Sequence, residues 1–255
     1  MPHMESPIAK LSKILKSKRL DALIVTSPYN ILYLTGFKGI SPQEREAILI
    51  VGKKSQTLIT AALYQAEAKS LAKNSLKVKI ARERNEYEKF VKDTLKNAQK
   101  IGFEESNLTV SELKRFKKLA QEKKFIPTKN LIEDLRIIKT EEEIKKIEKA
   151  QIISQKAFRE ILKTIKVGQT EEEIAHNLLS IIQNLGGQGL AFETIIASGP
   201  NAGLPHHKTG KRKIKKGEVL LFDFGTKYQN YCADLSRTTF IGKGRDEHKK
   251  CLYSR

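Results

Sequence analysis

Two aspartates, Asp223 and Asp234, are the residues of this chain whose type and spacing most clearly suggest chemistry. They lie eleven positions apart in the stretch GEVLLFDFGTKYQNYCADLSRTTFIG. The runs 219–224 and 231–241 are rich in apolar, aromatic and β-branched residues and are predicted to be strands, with TKYQN as the turn. A hairpin symmetric about residues 228 and 229 would make the two aspartates cross-strand partners.

Opposed carboxylates need something that offsets their repulsion. Cross-strand partners have Cβ atoms about 4.5 to 5.5 Å apart, and like charges there destabilise a sheet. A shared proton or a bound divalent cation such as Mn²⁺ or Mg²⁺ would remove the repulsion, and a pair of metals could activate a hydroxide. The alternative is that one aspartate caps the turn or faces solvent. Asp223 stands in a strand with apolar residues on both faces and is therefore predicted to be buried, which favours the metal site.

The first half of the chain alternates predicted strands and helices. Helices are predicted at residues 8–18, 63–72, 85–97 and 109–122, and strands at 21–25, 47–51, 57–60, 76–80 and 100–103. This alternation is typical of an α/β domain in which helices cover a mixed sheet.

The pattern changes near Lys139, where long helices replace the alternation. Capping boxes at Thr140 and Thr170 predict helices at 141–165 and 171–185. A strand is predicted at 192–197, and the turn-rich loop SGPNAGLPHH follows it with two adjacent histidines. We place the domain boundary near Glu133, which divides the chain into residues 1–133 and 134–255.

Composition narrows the class of protein. The formal net charge is +19, but the lysines are spread through nearly every segment, so binding to nucleic acid is not expected. No apolar run approaches the roughly 20 residues that span a membrane, and the first residues lack the apolar core of a signal peptide. We therefore expect a cytoplasmic protein without a membrane partner.

The stretch FETIIASGPNAGLPHHKTG, followed by the aspartate hairpin, resembles the metallopeptidase family of Xaa-Pro aminopeptidases and prolidases. That family shares its pita-bread fold with methionine aminopeptidase and creatinase. The segment DALIVTSPYNILYLTGFKG resembles the family's creatinase-like N-terminal domain. The resemblance implies an α/β N-terminal domain with a mixed sheet, followed by the first part of an α+β pita-bread catalytic domain.

The resemblance also implies roles for individual residues. Asp223 matches the family's D-x-G strand and Asp234 its D-x-[ST]-R-T strand, and both would ligate two divalent metal ions, Mn²⁺ or Co²⁺, with Zn²⁺ as a further option. His206 matches the histidine that contacts substrate or transfers a proton, and His207 is the second choice. Considered without the family, two histidines in a glycine-containing and proline-containing loop are more typical of a solvated surface.

The implied activity is hydrolysis of the peptide bond before proline by a metal-bound hydroxide, with a peptide carrying proline at its second position as substrate. A homodimer is left open. The family's site needs one histidine and two glutamates after the aspartates, and the sequence printed here ends at Arg255 without them, so we expect the chain to be truncated and inactive alone. The alternative is a non-catalytic binding module of the same fold for an acidic partner.

Overall fold

The computed structural model describes residues 5–39, 44–53, 55–72 and 76–243. They form two compact units, which divide between Ile138 and Lys139. The sequence also predicts a helix that begins near Asp246, and this helix lies outside the described residues. Within the described part of the chain, no helix is long and apolar enough to cross a membrane.

The first unit contains a six-stranded mixed sheet. Its strands are β1 Ala22–Val25, β2 Ala47–Gly52, β3 Gln56–Ala61, β4 Leu76–Ala81, β5 Lys100–Glu104 and β6 Lys124–Thr128. Their order is β4-β3-β2-β1-β5-β6, and β2 is antiparallel to both neighbours while the other pairs are parallel. The predicted α/β domain with a mixed sheet is confirmed.

Helices cover both faces of this sheet. They are α1 Pro7–Ser17, α2 Pro28–Thr35, α3 Gln65–Ser70, α4 Arg84–Leu95, α5 Val110–Leu119 and α6 Glu133–Ile137. Side chains of α1 and α2 pack with Leu23 and Leu49 on one face. Side chains of α4 and α5 pack with Ile24 and Ile50 on the other. The alternation of β-strand side chains thus produces two separate cores.

The second unit begins with two helices, α7 Glu141–Thr164 and α8 Glu171–Asn184. Each starts at its predicted capping box, in which the cap threonine accepts the N–H of the third helical residue and that residue's carboxylate accepts the threonine N–H. These reciprocal bonds satisfy donors that the first turn of a helix leaves without partners. The sequence therefore fixes where both helices begin.

A three-stranded antiparallel sheet follows. Its strands are β7 Ile195–Ser198, β8 Val219–Phe224 and β11 Leu235–Phe240, in the order β11-β8-β7. Between β8 and β11 the hairpin continues as the short strands β9 Lys227–Tyr228 and β10 Tyr231–Cys232. The single strand predicted at 231–241 is thus interrupted at residues 233 and 234.

The predicted register of the hairpin is wrong. Asp223 pairs with Ser236, not with Asp234. The physical reason is the turn, because Gln229 and Asn230 both adopt positive φ, of 46° and 67°, and form a two-residue tip. The hairpin is therefore centred one residue later than predicted, and every partner moves by two positions, which leaves each side chain on its original face.

The predicted burial of Asp223 is also wrong. Side chains alternate along β8, with Leu220, Phe222 and Phe224 fully buried and Asp223 only half-buried. The buried side chains pack against α7 and α8 in one hydrophobic core. The apolar residues on the face of Asp223 are themselves half-buried, because the two helices cover the opposite face.

A buried polar contact fastens the hairpin to α7. The Ser154 hydroxyl lies 2.9 Å from the Thr226 hydroxyl and accepts the Thr226 N–H at 3.1 Å. Both residues are completely buried. Since an unpaired buried hydroxyl costs free energy, these bonds favour one placement of the chain directly after β8.

Gly225 is a position where the hairpin tolerates no side chain. A Cβ there would lie 1.9 Å from the carbonyl oxygen of Ala233. We expect Gly225→Ala to lower the free energy of unfolding by about 2 kcal/mol or more, because the obstructing atom belongs to the backbone. Urea denaturation measures the change. Gly203→Ala is the matched control, since no atom lies within 4 Å of its added Cβ, and equal effects of the two substitutions would contradict the prediction.

Candidate metal centre

Asp223 lies in the middle strand of the second sheet, on the face away from the helices. Ser236, its partner on β11, donates a hydrogen bond from Oγ to Asp223 Oδ1 at 2.8 Å. On the other side, Ile195 of β7 is its register partner. The carboxylate is thus oriented by a neighbouring hydroxyl while remaining half-buried.

Asp234 lies directly before β11 and is exposed. Leu235 pairs with Phe224 in the helix-covered core, so alternation along the chain turns Asp234 toward the face of Asp223. Extending the alternation of β11 by one residue thus places the two aspartates on one face as diagonal neighbours, not as direct partners. Such neighbours lie about 7 to 8 Å apart in a regular antiparallel pair, closer at Cβ, which leaves room for cations between the carboxylates.

The donor chemistry of this pair fits a divalent metal in part. Carboxylate oxygens are the hard donors that Mg²⁺ and Mn²⁺ prefer. Among the described residues, however, no group of three or more histidine, cysteine, aspartate or glutamate side chains is arranged to hold a metal ion. Asp223 and Asp234 could thus supply two ligands of a coordination shell that needs further donors.

The histidine loop, defined as residues 199–209, lies beside β7, the strand that pairs with β8. Thr209 Oγ1 donates to the carbonyl oxygen of Thr194 at 2.9 Å and accepts the N–H of Ile196 at 2.8 Å. Ile195, which lies between Thr194 and Ile196, is the register partner of Asp223. The end of the loop is therefore fixed to β7 at the level of the candidate metal ligand.

The structure gives the two adjacent histidines different surroundings. His206 is exposed. His207 is largely buried, and its Nε2 lies 2.7 Å from Oε2 of Glu171, the first residue of α8. Of the two, only His206 therefore presents its ring to solvent.

Glu171 is a buried carboxylate surrounded by donors of one segment. Its side chain is completely buried, and Oε1 accepts the Ser198 N–H at 2.8 Å, the Ser198 hydroxyl at 2.7 Å and the Asn201 amide at 3.0 Å. Burial alone raises the pKa of Glu171, but hydrogen bonds from Ser198, His207 and Asn201 outweigh it and hold the pKa below its ordinary value. The carboxylate is therefore ionised and firmly held.

Arg212 extends this network to the segment that precedes β8. Its Nη1 donates to the Ser198 hydroxyl at 2.5 Å, and its guanidinium binds Glu218 through two bonds of 2.9 and 2.6 Å. The hydrogen bond from Arg212 lowers the pKa of Glu218. Gly199, with φ of +51°, lies so close that a Cβ would meet both Arg212 Nη2 and Glu218 Oε1 at 2.8 Å. A side chain at this position would displace the ends of Arg212 and Glu218, and the positive φ adds strain for any residue other than glycine.

Sequence reasoning missed Glu171, Ser198 and Arg212. Glu171 stands among three consecutive glutamates after a capping threonine, where acidic residues are ordinary helix-start residues. Its partners lie 27 to 36 positions away. No spacing rule connects such residues, so only the fold could bring them together.

The buried Glu171 carboxylate makes a pH-dependent contribution to stability. Its folded-state pKa is lowered, so the contribution is complete above the unfolded-state value near 4.5 and is lost as the pH falls through the folded-state pKa. Glu171→Gln should therefore be less stable than the unsubstituted protein at neutral pH, and the difference should shrink below pH 4.5. Urea denaturation at several pH values measures it, and a difference that is constant down to pH 3 would argue against the ionised state.

Comparison with protein families matches both units. The Creatinase/Prolidase N-terminal domain matches residues 7–138, and Metallopeptidase family M24 matches residues 145–255. Both parts of the chain therefore point to the same group of proteins.

Individual relatives align over almost the whole chain. An Xaa-Pro dipeptidase of Pyrococcus furiosus is 30% identical over 249 residues, which are 97% of this chain and 68% of the relative. An Xaa-Pro dipeptidase of Pyrococcus horikoshii is 32% identical over 250 residues, covering 98% and 68%. A solved Xaa-Pro dipeptidase structure from Bacillus anthracis has a TM-score of 0.87 at 30% identity and covers 96% of this chain and 67% of that one.

These matches confirm the family resemblance and the fold inferred from the sequence. The first unit is the creatinase-like domain, and the second is part of the pita-bread catalytic domain. The family's chemistry implies divalent metal ions, which agrees with the two carboxylates on one face. The chain therefore belongs to metallopeptidase family M24, a family of hydrolases, and carries a creatinase/prolidase N-terminal domain.

Proposed function

We propose that this protein is a metal-dependent exopeptidase that hydrolyses the peptide bond before proline, with a substrate that carries proline at its second position. The proposal rests on the position of Asp223 on the sheet face away from α7 and α8, beside the histidine loop, with Asp234 as its diagonal neighbour. The relatives named Xaa-Pro dipeptidases support the choice of substrate class.

Asp223 and Asp234 are the residues that would hold the metals, and Mn²⁺ or Co²⁺ are the ions we propose. Bound divalent ions would supply Lewis acidity and activate water for attack on a carbonyl. Ser236 holds one oxygen of Asp223 through its hydroxyl, which orients the carboxylate. Hydrogen-bond partners that orient a ligand residue without contacting the metal commonly contribute to metal affinity.

His206 is the residue that we propose to orient the peptide or to transfer a proton. Its exposure leaves the ring available for a substrate, whereas His207 uses Nε2 in its contact with Glu171. A proton acceptor must come within about 2.6 to 3.2 Å of the atom it serves, which the exposed ring leaves open for a bound peptide.

Substitution of each group, made in the full-length product of the gene, separates metal binding from substrate handling. Asp223→Asn should abolish activity and lower metal occupancy, because the amide lacks the charge of the carboxylate. Asp93→Asn, on an exposed position of α4, is its control. Turnover and metal content are measured for both variants. Full metal content and activity in Asp223→Asn would overturn the proposed metal site.

His206→Ala should instead keep its metal and lose turnover by a factor of about 10² to 10⁴, the usual contribution of a general acid or base. His176→Ala, which removes an exposed histidine of α8, is the matched control and should leave turnover unchanged. The same metal analysis and kinetics apply. Loss of metal from His206→Ala would assign this histidine to the metal shell and contradict the proposed role.

We also propose that the 255 residues by themselves do not hydrolyse Xaa-Pro peptides. Two carboxylates are too few donors for a catalytic divalent ion, and the described residues contain no third group beside them. The purified 255-residue chain should therefore show no release of the N-terminal residue with added Mn²⁺ or Co²⁺. Metal-dependent release by this chain would show that the ligand set is met in another way.

A further inference from the structure

The carboxylate of Glu171 is not used by the helix that it begins. Thr170 and Glu173 form the capping box of α8 without it. All the hydrogen bonds found for its two oxygens come from Ser198, Asn201 and His207. The hydrogen bonds of the Glu171 carboxylate therefore connect α8 with the segment between β7 and the histidine pair.

The first backbone N–H groups of α8 bind residues that directly follow the histidine loop. The N–H of Glu171 donates to the carbonyl oxygen of Arg212 at 3.1 Å, and the N–H of Glu172 donates to that of Gly210 at 3.0 Å. Helix N–H groups in the first turn need such acceptors, since the helix itself provides none. The histidine loop is thus attached to the start of α8 on both sides of His206.

The attachment through His207 fixes the backbone directly beside His206. The His207 ring contacts the Glu171 carboxylate, and the backbone N–H of His207 donates to the carbonyl oxygen of Leu204 at 3.2 Å. The position of the His206 Cα atom therefore depends on Glu171, whose side chain is completely buried.

We infer that Glu171 is a positioning residue, which acts through Ser198, Asn201 and His207 to hold the loop that presents His206 to the substrate. The inference rests on the proposed function for its catalytic consequence. A displacement of about 1 Å in a group that handles substrate can cost about 100-fold in rate. Loss of the carboxylate should therefore reduce turnover in a protein that is still folded and still binds metal.

Glu104 of the first unit provides a matched control. It is also a buried glutamate, and it accepts hydrogen bonds from Thr26 N at 2.6 Å, Thr26 Oγ1 at 3.2 Å, Ser27 N at 2.7 Å and Asn30 Nδ2 at 2.7 Å. Replacing either glutamate by alanine leaves buried donors without an acceptor and should destabilise the protein. Only the change at Glu171 should alter turnover of the folded molecules.

The decisive comparison is kinetic and uses the full-length product of the gene. Glu171→Ala should lower kcat by at least about tenfold at nearly unchanged KM and metal content, whereas Glu104→Ala should lower thermal stability and leave kcat within about twofold. Equal loss of kcat in both variants, or an unchanged kcat in folded Glu171→Ala, would overturn the inference.

His207→Ala tests the same connection with less disturbance, and it decides the matter if Glu171→Ala does not fold. It should lower kcat in the same direction, and in a Glu171→Gln background it should have much less effect, because the two residues act as a unit. Independent, multiplicative effects would show that His207 does not transmit the contribution of Glu171.

Amide hydrogen exchange gives a readout that does not need activity. Exchange in residues 199–207 should accelerate by at least about tenfold in Glu171→Ala and remain unchanged in Glu104→Ala. Unchanged exchange in the loop would refute the attachment. An unsubstituted protein without peptidase activity would refute the proposed function, and the exchange comparison would still decide whether Glu171 holds the loop.

Discussion

The alternation of side chains along β8 is the constraint on which the second unit depends. Leu220, Phe222 and Phe224 are completely buried against α7 and α8, and burial of each such side chain contributes about 1.5 to 3 kcal/mol. Turning the strand over would expose all three, so the residues between them must face away from the helices. Asp223 is thus placed by its apolar neighbours, and its own interactions only refine the orientation of the carboxylate.

Polar side chains hold the connection from β7 to β8, which the apolar core does not fix. The core fixes the strands, but the long connection from β7 to β8 contains few buried apolar residues. Glu171 and Glu218 hold this connection through His207 and Arg212, respectively. Both carboxylates have lowered pKa values, which shows that their partners more than offset the cost of burial. Ordered structure near the candidate site therefore depends on charge as well as on hydrophobic packing.

The sequence predicted most elements because their signals are local. Capping threonines defined the starts of α7 and α8, and apolar periodicity found the first five of the six strands of the first sheet. The hairpin register failed because the choice of turn residues depends on whether Gln229 and Asn230 accept positive φ, and neither is a glycine. That error did not change the face on which the aspartates are expected, because moving a pairing by two positions preserves the alternation of side chains. The Glu171 network had no local signal at all.

The attachment of the histidine loop to the first turn of α8 has a consequence for local unfolding. Glu171 gives its side chain and its N–H to the same segment, and Glu172 adds a second N–H. Opening of the loop therefore removes partners from the Glu171 carboxylate, and fraying of the helix start releases both the loop and the residues directly after it. The two form one cooperative opening unit. Any ligand that orders the loop must then also stabilise the beginning of α8, although it makes no contact there.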